Sequence, residues 1–170
     1  MFKKALVAAA LLSIVSVNAA HAADGNLTFT GEILAATCTI NGSAPGNINI
    51  PLGNFSVNEF GSTGTTAGNG KIVMELAGCP NQISTVKIQF EGTPDDDNPS
   101  LLKINGSATG LGIGIYETDG TPIPIGNSSR DITLTSGAAK AEFDAKFMST
   151  ANTVGSGSAN ATATYTIQYR

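Results

Sequence analysis

The sequence predicts an all-β protein built from short strands. Apolar and polar residues alternate with a period of two in several segments, which is the spacing of a half-buried strand. Glycine, serine, threonine and asparagine fill the segments between them, and 20 of the residues are glycine. Around eight or nine such strands separated by turn signals favour a two-sheet β-sandwich of immunoglobulin-like type, and a closed barrel is the alternative.

The clearest strand pattern lies late in the chain. Ala141, Phe143, Ala145 and Phe147 are apolar, and a charged residue stands before each of them. One face of this strand is therefore expected in the core and the other in water, as in an antiparallel sheet with one solvated face. Similar alternation predicts strands within residues 27–33, 48–52, 72–76, 86–90, 111–116 and 159–169.

The N-terminus has the three parts of a secretory signal peptide. Lys3 and Lys4 form a basic start, an apolar run follows, and Ala20-His21-Ala22 is typical of a cleavage site. A membrane-spanning helix needs about 20 apolar residues, and this run is shorter. We therefore expect cleavage between Ala22 and Ala23 and export of the remaining chain; a retained membrane anchor is the alternative.

The export signal decides how the two cysteines are interpreted. Cys38 and Cys79 are the only cysteines of the chain, and an exported protein enters an oxidising compartment. We therefore expect a disulfide between them. On the chain-entropy account, closing a loop of this length removes unfolded-state entropy worth roughly 4 kcal/mol.

Composition argues against several classes of function. The formal net charge is −4 and becomes more negative once Lys3 and Lys4 are removed, so nucleic-acid binding is not expected. The single histidine, His21, lies in the predicted signal peptide, which excludes Ser/His and Cys/His catalytic pairs from the mature chain. Asp95-Asp96-Asp97 lacks the ligand spacing of an EF-hand and is interpreted as a solvated acidic turn. We expect no enzymatic activity, metal site, cofactor or small-molecule substrate.

Four features together resemble the chaperone–usher pilins, the type 1 fimbrial subunit family. The segment ADGNLTFTGEILAATC is similar to the family's N-terminal extension, and Cys38 and Cys79 have its cysteine spacing. Residues 107–125 resemble its central strand segment. Its C-terminal signature is present as Gly157, the fourteenth residue from the end, and the penultimate Tyr169. The resemblance covers essentially the whole mature chain.

The resemblance implies an incomplete sandwich, which lacks its final strand and is completed by a donor strand from a partner. It implies a signal peptide over residues 1–22, a donor extension leading into the domain over 23–36, and a pilin domain over 37–170. The implied donor residues are Leu27, Phe29, Gly31 and Ile33. The alternative is a self-complete sandwich in which both terminal segments are ordinary strands.

The resemblance also implies partners and a location. The edge that binds a chaperone and then a donor strand would consist of Gly157, Ala163, Tyr165, Ile167, Tyr169 and the carboxylate of Arg170. The implied partners are a periplasmic chaperone, an outer-membrane usher and neighbouring pilin subunits. The implied function is a structural subunit of a cell-surface fimbria that supports adhesion, as a major rod or a minor adaptor subunit. The alternative function is a single-domain adhesin module that binds a glycan or a receptor.

Overall fold

The computed structural model describes residue 30, residues 38–40 and residues 47–170. The predicted signal peptide with its cleavage site at Ala22–Ala23 lies outside the described residues. So do the four implied donor residues, Leu27, Phe29, Gly31 and Ile33. Within the part of the chain that is described, no helix is long and apolar enough to cross a bilayer.

The described residues form nine strands and one short 3-10 helix, Val57–Glu59. The strands are β1 (Thr39–Ile40), β2 (Thr66–Ala77), β3 (Thr85–Glu91), β4 (Leu102–Lys103), β5 (Leu111–Glu117), β6 (Pro122–Ile123), β7 (Ile132–Thr133), β8 (Ala139–Ser149) and β9 (Thr164–Tyr169). Ser56 caps the helix by accepting a hydrogen bond from the Asn58 amide, and Glu59 reaches back to the Ser56 amide. This reciprocal capping explains why so short a helix forms.

The strands belong to two antiparallel sheets, which confirms the predicted sandwich. The first sheet has the order β1-β2-β8-β5, with β4 and β6 both paired to the remaining edge of β5. The second sheet has the order β7-β3-β9. β9, the last strand of the chain, is therefore an outer strand of the second sheet, and this places the site described below.

The core lies between the inner faces of the two sheets. Phe143 of β8 and Phe90 of β3 meet edge to face, with ring centroids 5.1 Å apart. On the outer face of the first sheet, Lys71 pairs with Asp144, and Lys140 pairs with Glu142. The alternation predicted for β8 is thus confirmed. Further buried side chains come from β2, β3 and β5: Ile72, Met74, Leu76, Val86, Ile88, Ile113 and Ile115.

A disulfide joins Cys38 to Cys79, as the sequence predicts. Cys38 directly precedes β1, and Cys79 follows the end of β2. β1 pairs with the end of β2 through Thr39 opposite Ala77 and Ile40 opposite Leu76. The bridge therefore fastens the first described strand to the end of a long central strand.

β5 carries two glycines because large side chains lie flat on its outer face. A Cβ atom at Gly114 would stand 2.6 Å from the hydroxyl of Tyr116, and one at Gly112 would stand 2.9 Å from Cβ of Leu101. Real Cβ atoms do not approach other atoms so closely. Ile113 and Ile115, which alternate with the glycines, face the core. In the pattern LGIGIY, the isoleucines therefore pack in the core, and the glycines leave room for large side chains on the outer face.

We expect Gly114→Ala to lower the free energy of unfolding by about 1–3 kcal/mol, because the Tyr116 ring must leave its place. Gly61→Ala is the matched control, since no atom lies within 4 Å of the added Cβ. Denaturant unfolding of both variants gives the comparison. Equal stability of the two variants would contradict the packing described for β5.

At the edge of the sandwich away from β9, Arg130 ties the two sheets together. Arg130 lies just before β7, and its guanidinium donates to Asp119 at 2.6 Å and to Thr121 at 2.7 Å in the β5–β6 turn. The pKa of Asp119 is lowered from 3.8 to about 2, first by hydrogen bonds from the Thr121 amide and hydroxyl and then by Arg130. These contacts hold this side of the sandwich closed.

The lowered pKa predicts an acid-dependent part of stability. A carboxylate with a depressed pKa stabilises the fold above its ordinary value of 3.8, and this contribution is lost as the pH falls through about 2. We expect Asp119→Asn to be less stable than the native chain at pH 5 and to approach it at pH 2, which urea titrations at both values measure. A stability difference that does not change with pH would contradict the assignment.

Candidate functional site

A groove of about 830 Å³ opens between the two sheets along the side of β9. Residues 159–165 form one wall and residues 47–53 form the other. The floor consists of side chains that belong to the core itself: Ile72, Met74, Phe90, Leu102, Ile113, Ile115, Ala145 and Phe147. The interior of the sandwich is therefore accessible along this side.

The β9 wall presents main-chain groups that β3 does not use. Thr85 and Arg170 exchange hydrogen bonds through both amides and both carbonyls, so they form a hydrogen-bonded pair. Hydrogen-bonded pairs recur at every second residue of an antiparallel ladder. The N–H and C=O groups of Ile167 and Tyr169 therefore point away from β3. Since β9 ends its sheet, this edge can accept a further strand.

Small side chains make the groove deep along this wall. Ala159, Ala161 and Ala163 line the cavity, and Tyr165 closes the row. Ile167 and Tyr169 lie further along β9, half-buried against the core and beyond the residues that line the cavity. Of the predicted edge residues, the structure thus places Ala163 and Tyr165 at the groove and Ile167 and Tyr169 on the strand that continues it.

The last residue is held at the start of β3. The Arg170 carbonyl oxygen accepts hydrogen bonds from the amides of Ser84 at 3.0 Å and Thr85 at 3.1 Å, while its side chain is exposed. The end of β9 is therefore fixed by main-chain bonds, and the chain terminus stands at the surface.

The opposite wall is extended but is not part of a ladder. The alternation of Ile48, Ile50 and Leu52 predicts a strand, and this prediction is wrong in one respect: within the described residues, no main-chain hydrogen bond joins 47–53 to another segment. Side chains hold the wall instead. A Cβ atom at Gly70 would stand 2.7 Å from both Ile50 and Leu52, so a bulge of β2 receives these two side chains.

A smaller cavity of about 350 Å³ continues the groove beyond Ala159. Phe55 and Phe147, stacked edge to face with centroids 6.2 Å apart, stand where the two cavities adjoin. Gly157 lines the smaller cavity, and a Cβ atom there would lie 2.5 Å from the Ala108 amide. The structure thus places Gly157 ahead of β9, where close contact with residues 107–108 requires glycine.

The groove has an apolar lining, lies beside the main-chain edge of β9 and carries little charge. Among the described lining residues none is Asp, Glu, Lys, Arg or His. No group of three metal-ligating side chains occurs in the part of the chain that the structure describes. Asp95 is buried and accepts hydrogen bonds from the Asp97 and Asn98 amides, so it shapes its turn and is less solvated than the sequence predicts. The arrangement suits the binding of an extended, apolar peptide segment.

Comparison with known proteins agrees with this geometry. The sequence model described as Fimbrial protein matches residues 27–170. The chain belongs to this family. Long polar fimbria protein A of Salmonella typhimurium is 30% identical, with 99% of this chain and 98% of that protein covered. The type-1 fimbrial protein subunit of Serratia marcescens is 32% identical, with both chains covered completely.

Solved structures support the fold. A subunit from a chaperone–usher pilus structure superposes with a TM-score of 0.64 at 24% identity, covering 87% of this chain and 96% of that one. At this identity the likeness concerns the fold, which is that of the pilin-type immunoglobulin-like sandwich. The family match over residues 27–170 and the relatives at 30% identity or more show that the chain is a fimbrial subunit, a component of a surface fimbria.

Proposed function

We propose that this fimbrial subunit polymerises by exchanging strands with its neighbours. Its groove accepts an extended segment from one neighbouring subunit, and its own residues 27–33 enter the groove of the next. The observation that carries the proposal is the combination of a β9 edge that pairs with no other described strand and an apolar groove into the core. Main-chain hydrogen bonds then supply affinity, and alternate side chains fill the cavity, which is β-augmentation.

The dimensions of groove and donor agree. The cavity is flanked by residues 159–165 on the β9 side, and the alternating segment Leu27, Phe29, Gly31, Ile33 covers a stretch of the same length. In an extended strand these four residues share one face. The donor extension over residues 23–36 and the pilin domain over 37–170 are part of this proposal, as is the signal peptide over 1–22 with cleavage between Ala22 and Ala23.

A periplasmic chaperone and an outer-membrane usher are the further partners that we propose. An unpaired strand edge beside exposed apolar side chains is an aggregation hazard until it is covered. The chaperone covers β9 first, and the exposed terminus at Arg170 is the group that its basic residues bind. At the usher, the chaperone-bound subunit is then added to the growing fibre. The subunit acts without enzymatic chemistry, and its work is mechanical.

The alternative role as a glycan- or receptor-binding module has less support. Sugar-binding sites need exposed aromatic surface, and among the described residues the only exposed large hydrophobic side chain is Val57. Adhesion is therefore proposed to depend on the fibre as a whole, and a rod or an adaptor subunit would fit equally.

We expect Ala161→Leu to weaken binding of a synthetic peptide of residues 23–35 by about tenfold or more, because the added side chain occupies the groove. Thr166→Leu is the control: it adds a side chain of similar size on the exposed outer face of β9. Calorimetric titration of both variants gives the affinities. A peptide that binds Ala161→Leu as tightly as the control would show that the groove is not its site.

We expect deletion of residues 23–31 to leave a subunit that accepts the donor peptide but forms no fibres, because its groove is intact and its donor is gone. Electron microscopy of sheared cells shows the fibres, and native mass spectrometry shows the 1:1 peptide complex. Fibres of normal length from the deletion variant would refute the assignment of residues 27–33 as the donor.

A further inference from the structure

The disulfide stands at a position that matters for a fibre under tension. Cys38 follows the donor extension, and its partner Cys79 lies on the chain that leads through residues 80–84 into β3. The covalent route from the extension to β3 therefore runs through the bridge. Residues 39–78 form a loop that the disulfide closes. The shortest covalent path from the extension to β3 does not pass through this loop, so tension along that path does not stretch it.

The loop contains the weaker wall of the groove. Residues 47–53 lie within it, held by the side chains of Ile50 and Leu52. Ahead of this wall, the described part of β1 is attached to β2 by two residue pairs, Thr39 with Ala77 and Ile40 with Leu76. Beyond it, Phe55 stacks on Phe147, and Phe60 is buried. Among the described residues, the first ring contacts that would resist a pull along the chain from Cys38 are therefore those of Phe55 and Phe60.

We infer that the Cys38–Cys79 bridge carries tensile load past the groove wall, so that tension on the fibre does not open the groove that holds the neighbour. The load passes from the extension through the bridge into β3, then through the six residue pairs of the β3–β9 ladder to the donor strand beside β9. This inference rests on the proposed donor-strand function.

Without the bridge, the same tension would enter β1. The described pairs of β1 separate, and the groove wall then follows, since no main-chain hydrogen bond between described residues retains 47–53. The chain from Thr39 to Asn54 has 16 residues. At 3.3–3.6 Å per residue this step releases roughly 55 Å of chain. The donor strand would then lose one of its two walls, and it would leave the groove at a lower force.

Single-molecule force spectroscopy tests the inference in the fibre geometry. A copy of residues 23–35 is fused after Arg170 through a flexible linker, so that it fills the groove of its own subunit. One handle is attached to the N-terminal extension and the other to the end of the fused donor. We expect the oxidised protein to show donor release without an earlier step, whereas Cys38→Ser/Cys79→Ser shows a step of roughly 55 Å first and donor release at a lower force.

Moving one handle provides the control. With a bio-orthogonal handle at exposed Gln82, beyond the bridge, the load enters directly ahead of β3, and both proteins should release the donor at the same force. If the double variant does not fold, the folded native protein is measured before and after reduction in the instrument. Equal release forces and no early step with the N-terminal handle would overturn the inference. A fused donor that leaves the oxidised protein at no measurable force would instead refute the proposed function.

Discussion

The structure depends on one constraint: the second sheet ends at β9, and nothing in the described chain pairs with the far edge of that strand. Ile167 and Tyr169 direct main-chain groups towards this edge, and the facing wall, residues 47–53, has no ladder of its own. The groove of about 830 Å³ lies between residues 159–165, which lead into this strand, and the wall. The depth of the groove, its apolar floor and its requirement for a partner all follow from this arrangement.

The other edges of the two sheets explain why the groove opens on the β9 side of the sandwich. Among the described residues, the other edges end in β1, β4, β6 and β7, each with two residues, and so short an edge offers little to an incoming strand. Arg130 links the sheets on that far side through Asp119 and Thr121. Within the described residues, the long edge is therefore that of β9, which continues from the groove between residues 159–165 and 47–53. Fibres need such a restriction to one long edge, because strand addition at several edges would produce aggregates.

Particular residues show which structural features the sequence pattern predicts and which it does not. The alternation over β8 predicts both its core face and its charged face, because each side chain reports its own environment. The same reasoning predicts a strand at Ile48–Leu52, and there it fails: alternation shows which side chains are buried and does not show whether the backbone finds a partner. The role of Gly157 in the C-terminal edge stays a prediction, and the structure shows that its close contact with Ser107 and Ala108 leaves no room for a side chain. A distant contact of this kind leaves no local pattern.

By itself, the sequence determined the class of fold and the disulfide, since these depend on periodicity and composition along the chain and on an export signal beside two cysteines. The residues of a C-terminal edge are implied only by the resemblance to the pilin family, and they stay a prediction. Tertiary structure decided which strand ends the second sheet, which wall lacks a ladder and how deep the groove between them is. Those properties arise from pairings between residues far apart in sequence, such as Val86 with Tyr169, and from the packing of Ile50 and Leu52 against Gly70. A pattern of period two places a side chain on one face or the other, and it carries no information about which strand will lie beside it.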